Sequence, residues 1–81
     1  MNREAIVYYL PGCPYSTRLR VALTLRRVPF RSVRFRDDEE GAARVREVNG
    51  GNELSPTVRV GDTWLSNPSA KAVAAAVAAS S

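Results

Sequence analysis

Ala5-Ile6-Val7-Tyr8-Tyr9-Leu10 is an unbroken apolar run, rich in β-branched and aromatic side chains. Such a run reads as a strand buried on both faces, in the centre of a sheet. Pro11-Gly12 punctuates it, and Cys13-Pro14-Tyr15-Ser16 follows. Proline suits the first position of a helix, where no amide hydrogen is lost and φ is already set, so Pro14 marks a helix start. Leu19, Ala22, Leu23 and Arg26 recur along one side of that helix, with Val21 and Leu25 adjoining, and Pro29 lies beyond its end. From Ser32 the pattern switches to strict alternation. Val33 and Phe35 face the core of a second strand, while Ser32, Arg34 and Arg36 face outward. A row of arginines, Arg31 included, suits an edge strand, where charge discourages pairing with another chain.

Asp37 or Asp38 then caps a second helix, with acids in its first turn as the helix dipole favours. Ala42, Val45 and Val48 form its inward stripe, and Asn49-Gly50-Gly51 ends it. Thr57–Val60 and Thr63–Ser66 flank Gly61-Asp62, a two-residue link that signals a hairpin. Asn67-Pro68 starts a last helix by the logic of Pro14, with Val73 and Val77 inward among alanines of high helix propensity. The order is β-α-β-α-β-β-α. A helix between the first two strands predicts a parallel pair with a right-handed crossover, and the last two strands form an antiparallel hairpin. The expected class is α/β: a four-stranded mixed sheet in a single domain, residues 1–81, with helices on both faces.

Composition narrows the chemistry. The 81-residue chain is 44% hydrophobic and 25% charged, ordinary globular values. It has no histidine, which excludes histidine acid–base catalysis and histidine metal ligation. A single cysteine makes an intramolecular disulfide impossible and suits a reducing compartment. No stretch approaches the roughly 20 apolar residues that span a bilayer, and the first residues carry no leader pattern, so the expected location is the cytoplasm. The net charge of +4 keeps the chain soluble and favours anionic partners without indicating nucleic acid. No phosphate loop is present, and the basic residues lack a stacking platform for bases. The arginine row greets either an anionic partner or, as such rows more often do, only solvent. Trp64 reads as hairpin packing.

The candidate chemistry is at Cys13, which follows the central strand and precedes a helix. At that cap position the sulfur can accept from the free amides of Tyr15 or Ser16, and the helix N-terminus favours a negative charge. Both effects lower a thiol pKa from about 8.5 toward the range of 3.5–7.5 found for helix-start cysteines. Arg18, one turn on, adds a push of the same sign. The Ser16 hydroxyl is either a donor to the thiolate or an ordinary first-turn serine. The bland alternative for Cys13 is a small buried hydrophobe.

Cys13-Pro14-Tyr15-Ser16 resembles the active-site motif of glutaredoxins in its single-cysteine form, and the element order matches their thioredoxin-like fold. Val48-Asn49-Gly50-Gly51-Asn52, Ser55-Pro56-Thr57-Val58 and Ser66-Asn67-Pro68-Ser69 resemble stretches of mycoredoxins, the actinobacterial relatives that use mycothiol. The resemblance implies Cys13 as nucleophile, with Tyr15, Leu54, Ser55, Pro56, Asn67 and Ser69 around a bound thiol and the Ser55–Pro56 bond in the cis form. It also implies glutathione or mycothiol as co-substrate with no tightly bound cofactor, S-thiolated proteins as partners, and a monomer. Three departures stand out. No lysine precedes the motif, Leu54-Ser55 replaces the usual Thr-Val, and Ser66–Ala70 lacks the acids that hold the amine end of glutathione. Serine at position 16 leaves no internal thiol to resolve a mixed disulfide, so the expected reaction is a monothiol cycle that strips small-thiol adducts from proteins. Two alternatives carry weight. One is a dimeric [2Fe–2S] carrier, which needs two chains and two small thiols to supply four sulfurs. The other is a thioredoxin-fold module that binds without catalysis.

Overall fold

In the computed structural model, which describes residues 4–51 and 55–79, the chain runs β1 (Ala5–Tyr9), α1 (Pro14–Leu25), β2 (Phe30–Arg34), α2 (Glu39–Val48), β3 (Thr57–Val60), β4 (Thr63–Ser66) and α3 (Ala70–Ala79). The strands lie in the order β2-β1-β3-β4. β1 pairs parallel with β2, from Ala5 opposite Phe30 to Tyr9 opposite Arg34. β3 pairs antiparallel with both β1 and β4. Gly61 opens the hairpin link at a φ of 61°, a conformation glycine takes without a Cβ clash.

Period-2 alternation divides the core between the two faces of the sheet. Ala5, Val7, Val58 and Val60 point one way, against Leu19 and Leu23 of α1 and Val73 and Val77 of α3. Tyr8 points the other way with Phe35, against Ala42 and Val45 of α2. The Tyr8 ring stacks with Phe35 and with Trp64, at centroid separations of 6.5 and 5.8 Å. The α2 backbone comes close to this layer at Gly41, where a Cβ would lie 2.5 Å from Tyr8 Cε1. Of the two candidate caps Asp38 is the one used: its Oδ1 accepts the Gly41 amide at 2.9 Å.

The structure corrects several expectations. α1 buries only Ser16, Leu19 and Leu23. Val21 and Leu25 are 56% and 79% exposed, and Arg26 lies past the helix end in solvent. A helix laid on a sheet meets it along one narrow stripe, and residues 21 and 25 are turned away from that line. Val48, the last residue of α2, is likewise 41% exposed, because the stripe leaves the sheet after Val45. β2 ends at Arg34 rather than Arg36. Residues 35–37 form one 3₁₀ turn that still buries Phe35. α3 begins at Ala70, not at Pro68. The Asn67 amide is held by the Pro56 carbonyl at 2.8 Å with Asn67 at a φ of 46°, which keeps it out of the helix. Ser69 serves as the cap instead, its Oγ accepting the Ala72 amide at 3.1 Å.

Candidate active site

β1 stops at Tyr9, and a tight turn through Gly12, at a φ of 83°, brings the chain round to α1. The Cys13 amide closes this turn on the Leu10 carbonyl at 3.3 Å. Cys13 is the N-cap of α1 and Pro14 its first residue. The Cys13 carbonyl accepts the Thr17 amide at 3.2 Å, the Ser16 hydroxyl at 2.9 Å and the Thr17 hydroxyl at 3.3 Å. Ser16 is fully buried, with its hydroxyl spent on the backbone.

The Cys13 sulfur is partly buried. It lies 3.7 Å from the carbonyl oxygen of Ser55, to which the thiol donates. The Ser55–Pro56 peptide is cis. Ser55 Oγ in turn accepts the Leu10 amide at 3.1 Å, so the segment before β3 is fastened to the loop after β1 on either side of the sulfur. The thiol titrates below its ordinary value. The Ser55 hydroxyl is the first cause, partial burial opposes it, and the amides of Ser16 and Tyr15 then lower it further. Those amides were the expected cap donors, yet neither closes a cap hydrogen bond on the sulfur, which turns toward Ser55 instead. The Ser16 hydroxyl is the least of the groups that lower the thiol.

Beside the motif lies a cleft of about 360 Å³, lined by Tyr15, Arg18, Asn67, Pro68 and Ser69 together with the α1 residues Leu19 and Ala22. Tyr15 is 62% exposed and forms its rim. The fold thus brings together two groups of the sequence-predicted residues. Cys13 and Ser55 meet at the sulfur, with Pro56 next in the chain across a cis bond, while Tyr15, Arg18, Asn67 and Ser69 share the cleft. The Asn67–Pro56 hydrogen bond joins the groups. Arg18 faces the cleft and is not among the groups that shift the thiol. Leu54 lies outside the described residues. A larger cleft of about 540 Å³ opens on the α2 face between Tyr8, Asp38, Arg59 and Trp64, and neither Cys13 nor Ser55 lines it.

Sequence reasoning missed the Leu10 amide, the Ser55 hydroxyl and a clamp built on Asn49. Asn49 Nδ2 donates to the Val45 carbonyl at 2.8 Å and to Thr57 Oγ1 at 3.2 Å, and its Oδ1 accepts the Ser66 hydroxyl. The clamp ties the end of α2 to the start of β3 and the end of β4, beside the Ser55–Pro56 segment. A polar Thr57 at a core position of its strand was the available signal. Arg31 and Arg34 lie on the edge strand β2: Arg31 pairs with Glu4 at 3.4 Å, and Arg34 sits opposite Tyr9 in the parallel ladder. Among the described residues no three histidine, cysteine or acidic side chains gather as a metal site, and no helix is long and apolar enough to cross a membrane.

Comparison with known proteins matches this geometry. The sequence model of the family Glutaredoxin covers residues 5–65. The chain belongs to the glutaredoxin family. Two proteins of Mycobacterium tuberculosis that carry a provisional glutaredoxin name, from strains CDC 1551 and H37Rv, are each 40% identical to it over 70 residues, 85% of this chain and 83% of theirs. Its fold superposes on the crystal structure of a glutaredoxin from Archaeoglobus fulgidus, with a TM-score of 0.69 over 88% of this chain and 82% of that one, at 20% identity. The solution structure of a Brucella melitensis glutaredoxin, 26% identical, gives 0.64 over 80% and 70%. As a glutaredoxin the chain has a function of the thiol–disulfide oxidoreductase type, in a family that uses glutathione-type thiols and acts on thiol adducts of proteins.

Proposed function

We propose that this glutaredoxin is a monothiol transferase that removes low-molecular-weight thiol adducts from proteins through a mixed disulfide on Cys13. The supporting observation is the sulfur itself: partly exposed at the start of α1, lowered in pKa, and next to a cleft wide enough for a small thiol. The direction of that shift favours a nucleophile over a passive binding module, because the thiolate is the attacking species.

The cycle has two exchanges. The Cys13 thiolate attacks the small-thiol sulfur of a protein–S–S–R disulfide. A Cys13–S–S–R bond forms, and the protein leaves as a thiolate that takes a proton from solvent. A second RSH, attacking as RS⁻, then cleaves Cys13–S–S–R; RSSR departs and the Cys13 thiolate returns. Electrons balance, since one disulfide is consumed and one produced at each exchange. Tyr15, Asn67 and Ser69 would seat the R group, with the Ser55 main chain alongside it and Arg18 on the cleft wall. R is glutathione or mycothiol, the protein works as a cytoplasmic monomer, and no resident cofactor takes part.

The test is turnover of a protein–glutathione and a protein–mycothiol disulfide, each with its own thiol as reductant, alongside intact-mass measurement of Cys13. Turnover with at least one thiol and an adduct on Cys13 is expected. No turnover with either, and an unmodified Cys13, would overturn the reading.

A further inference from the structure

We propose that the outward side of α1 and the adjoining edge strand β2 form the docking surface for the thiolated protein, and that this protein is acidic around its modified cysteine. The proposal names the partner of the transferase reading above and rests on it. Between Ala5 and Arg36 the chain has seven arginines and no acidic residue. α1 and β2 both fall within that stretch. Of those arginines only Arg31 is in an ion pair among the described residues, with Glu4. The acids come next, as the run Asp37-Asp38-Glu39-Glu40 that leads into α2. α1 packs on one face of the sheet and α2 on the other, so the sheet keeps the two charges apart.

α1 turns a definite side outward. Leu19 and Leu23 are buried against the sheet. Arg18, Val21 and Leu25, spaced by three and four, lie on the opposite side of the helix, in line with Pro14 next to the nucleophile. Val21 and Leu25 are each more than half exposed. Arg18 also lines the thiol cleft, so the stripe and the cleft are continuous. On the other flank of α1 the Arg20 guanidinium lies over the Tyr9 ring at 4.4 Å, and Tyr9 is opposite Arg34 in the ladder. An apolar centre bordered by arginine, with no lysine, has the composition of a protein interface rather than of a solvated face.

Size adds a further constraint. A standard interface takes about 800 Å² of each partner, a patch about 30 Å across. The chain measures 29 × 25 × 19 Å. A protein that brings a disulfide to Cys13 therefore covers much of one side of the molecule. An acidic one is drawn to the α1 and β2 side and repelled by the acids before α2. The small thiol keeps its own place, in the cleft between α1 and the start of α3. Charge of this kind speeds encounter and sets orientation, and the two exchanges at Cys13 are unchanged.

The experiment uses one folded carrier protein with a single surface cysteine, whose neighbouring side chains are made acidic, neutral or basic. Each version is joined to the same thiol R, and the mixed disulfide of R with 2-mercaptoethanol is the small reference. For the acidic carrier kcat/KM should exceed that for the basic one and fall about tenfold from low salt to about 0.5 M salt, against less than about twofold for the small disulfide. Leu25→Ser and Arg34→Glu should each lower it about threefold to tenfold for the acidic carrier and leave the small disulfide unchanged. Circular dichroism confirms folding, and Arg27→Glu takes the place of Arg34→Glu where the strand does not tolerate the change. Binding is read separately, from amide chemical shifts of the Cys13→Ser chain on addition of the acidic carrier, and the changes should centre on residues 17–25 and 31–34. Equal kcat/KM for the three carriers, or shifts confined to α2, overturn the proposal. Preferential binding of duplex DNA or phosphatidylglycerol vesicles, or a dimer mass at low salt, assigns the surface elsewhere and likewise overturns it. Shifts on α1 in a protein that turns over no disulfide sink the transferase reading alone, and turnover of the small disulfide with no preference among carriers sinks this one alone.

Discussion

In the proposed cycle the chemistry falls on one sulfur, that of Cys13, and its surroundings lower the pH at which it ionises. Cys13→Ser should abolish exchange with any mixed disulfide while leaving the fold unchanged, checked by turnover and circular dichroism. Because Ser55 and the first amides of α1 lower the thiol in the folded state, alkylation of the native protein should persist at pH values where the urea-unfolded chain no longer reacts. The same shift is a stability statement. The folded pKa lies below the unfolded one, so the contribution of Cys13 is fully present above the unfolded thiol value of about 8.5 and is lost as pH falls through the folded midpoint. The stability difference between wild type and Cys13→Ala should therefore grow as pH rises across that window, read by urea denaturation. At this scale Cys13 and Pro14 are legible in the sequence, because strand, turn and helix start are neighbours along the chain. Ser55 is named there only through the resemblance, and its contact with the sulfur is not legible: it meets the sulfur across 42 residues, and its hydroxyl acquires a direction only when Leu10 donates to it.

Among the elements, α2 shows most clearly how local chemistry and packing share the load. Asp38 caps it with a bond to the Gly41 amide. Asp38→Ala should cost about 1 kcal/mol, seen as a lower urea midpoint at unchanged slope. Gly41 is different, since its requirement comes from the sheet beneath. A methyl there would sit 2.5 Å from both Tyr8 Cε1 and Asp38 Oδ2. Gly41→Ala should destabilise by about 1–3 kcal/mol although alanine is the better helix former, because the overpacked ring cannot move without disturbing its stack. Helix existence, the acidic start of α2 and the Asn-Gly-Gly stop were readable from residue types. The start of α3 was not. Proline at position 68 fits a helix start on local grounds, and only the Pro56 carbonyl, holding the Asn67 amide from another part of the chain, delays the helix to Ala70. The exposure of Val21, Leu25 and Val48 has the same origin, since periodicity marks a broad apolar side while contact with a sheet selects a narrow one.

For the whole molecule, one four-stranded sheet separates two apolar layers, both of which draw on β1, β2 and β4. Leu23, fully buried against α3 and the sheet, belongs to one layer, and Trp64 reports on the other. Leu23→Ala should cost about 2–5 kcal/mol. The unfolding transition seen by Trp64 fluorescence should shift as far as that seen by circular dichroism, because small single sheets unfold as one unit. Fluorescence unmoved by the substitution would show the two layers to be separable. The sheet also decides where the chemistry sits. β1 is central, between β2 and β3, so its C-terminal end delivers Cys13 to the place where the segment entering β3 passes.

By itself the sequence determined the element order, the parallel pairing of β1 with β2, the β3–β4 hairpin and the inward Val45, Val73 and Val77. All of these follow from side-chain periodicity and from turn and cap residues acting within a few positions of one another. Tertiary structure alone decided that Ser55 meets the sulfur, where α3 begins and how Asn49 clamps α2 to the hairpin. Each depends on a hydrogen bond between segments distant in the chain, and the direction of such a bond exists only once the sheet has set those segments side by side.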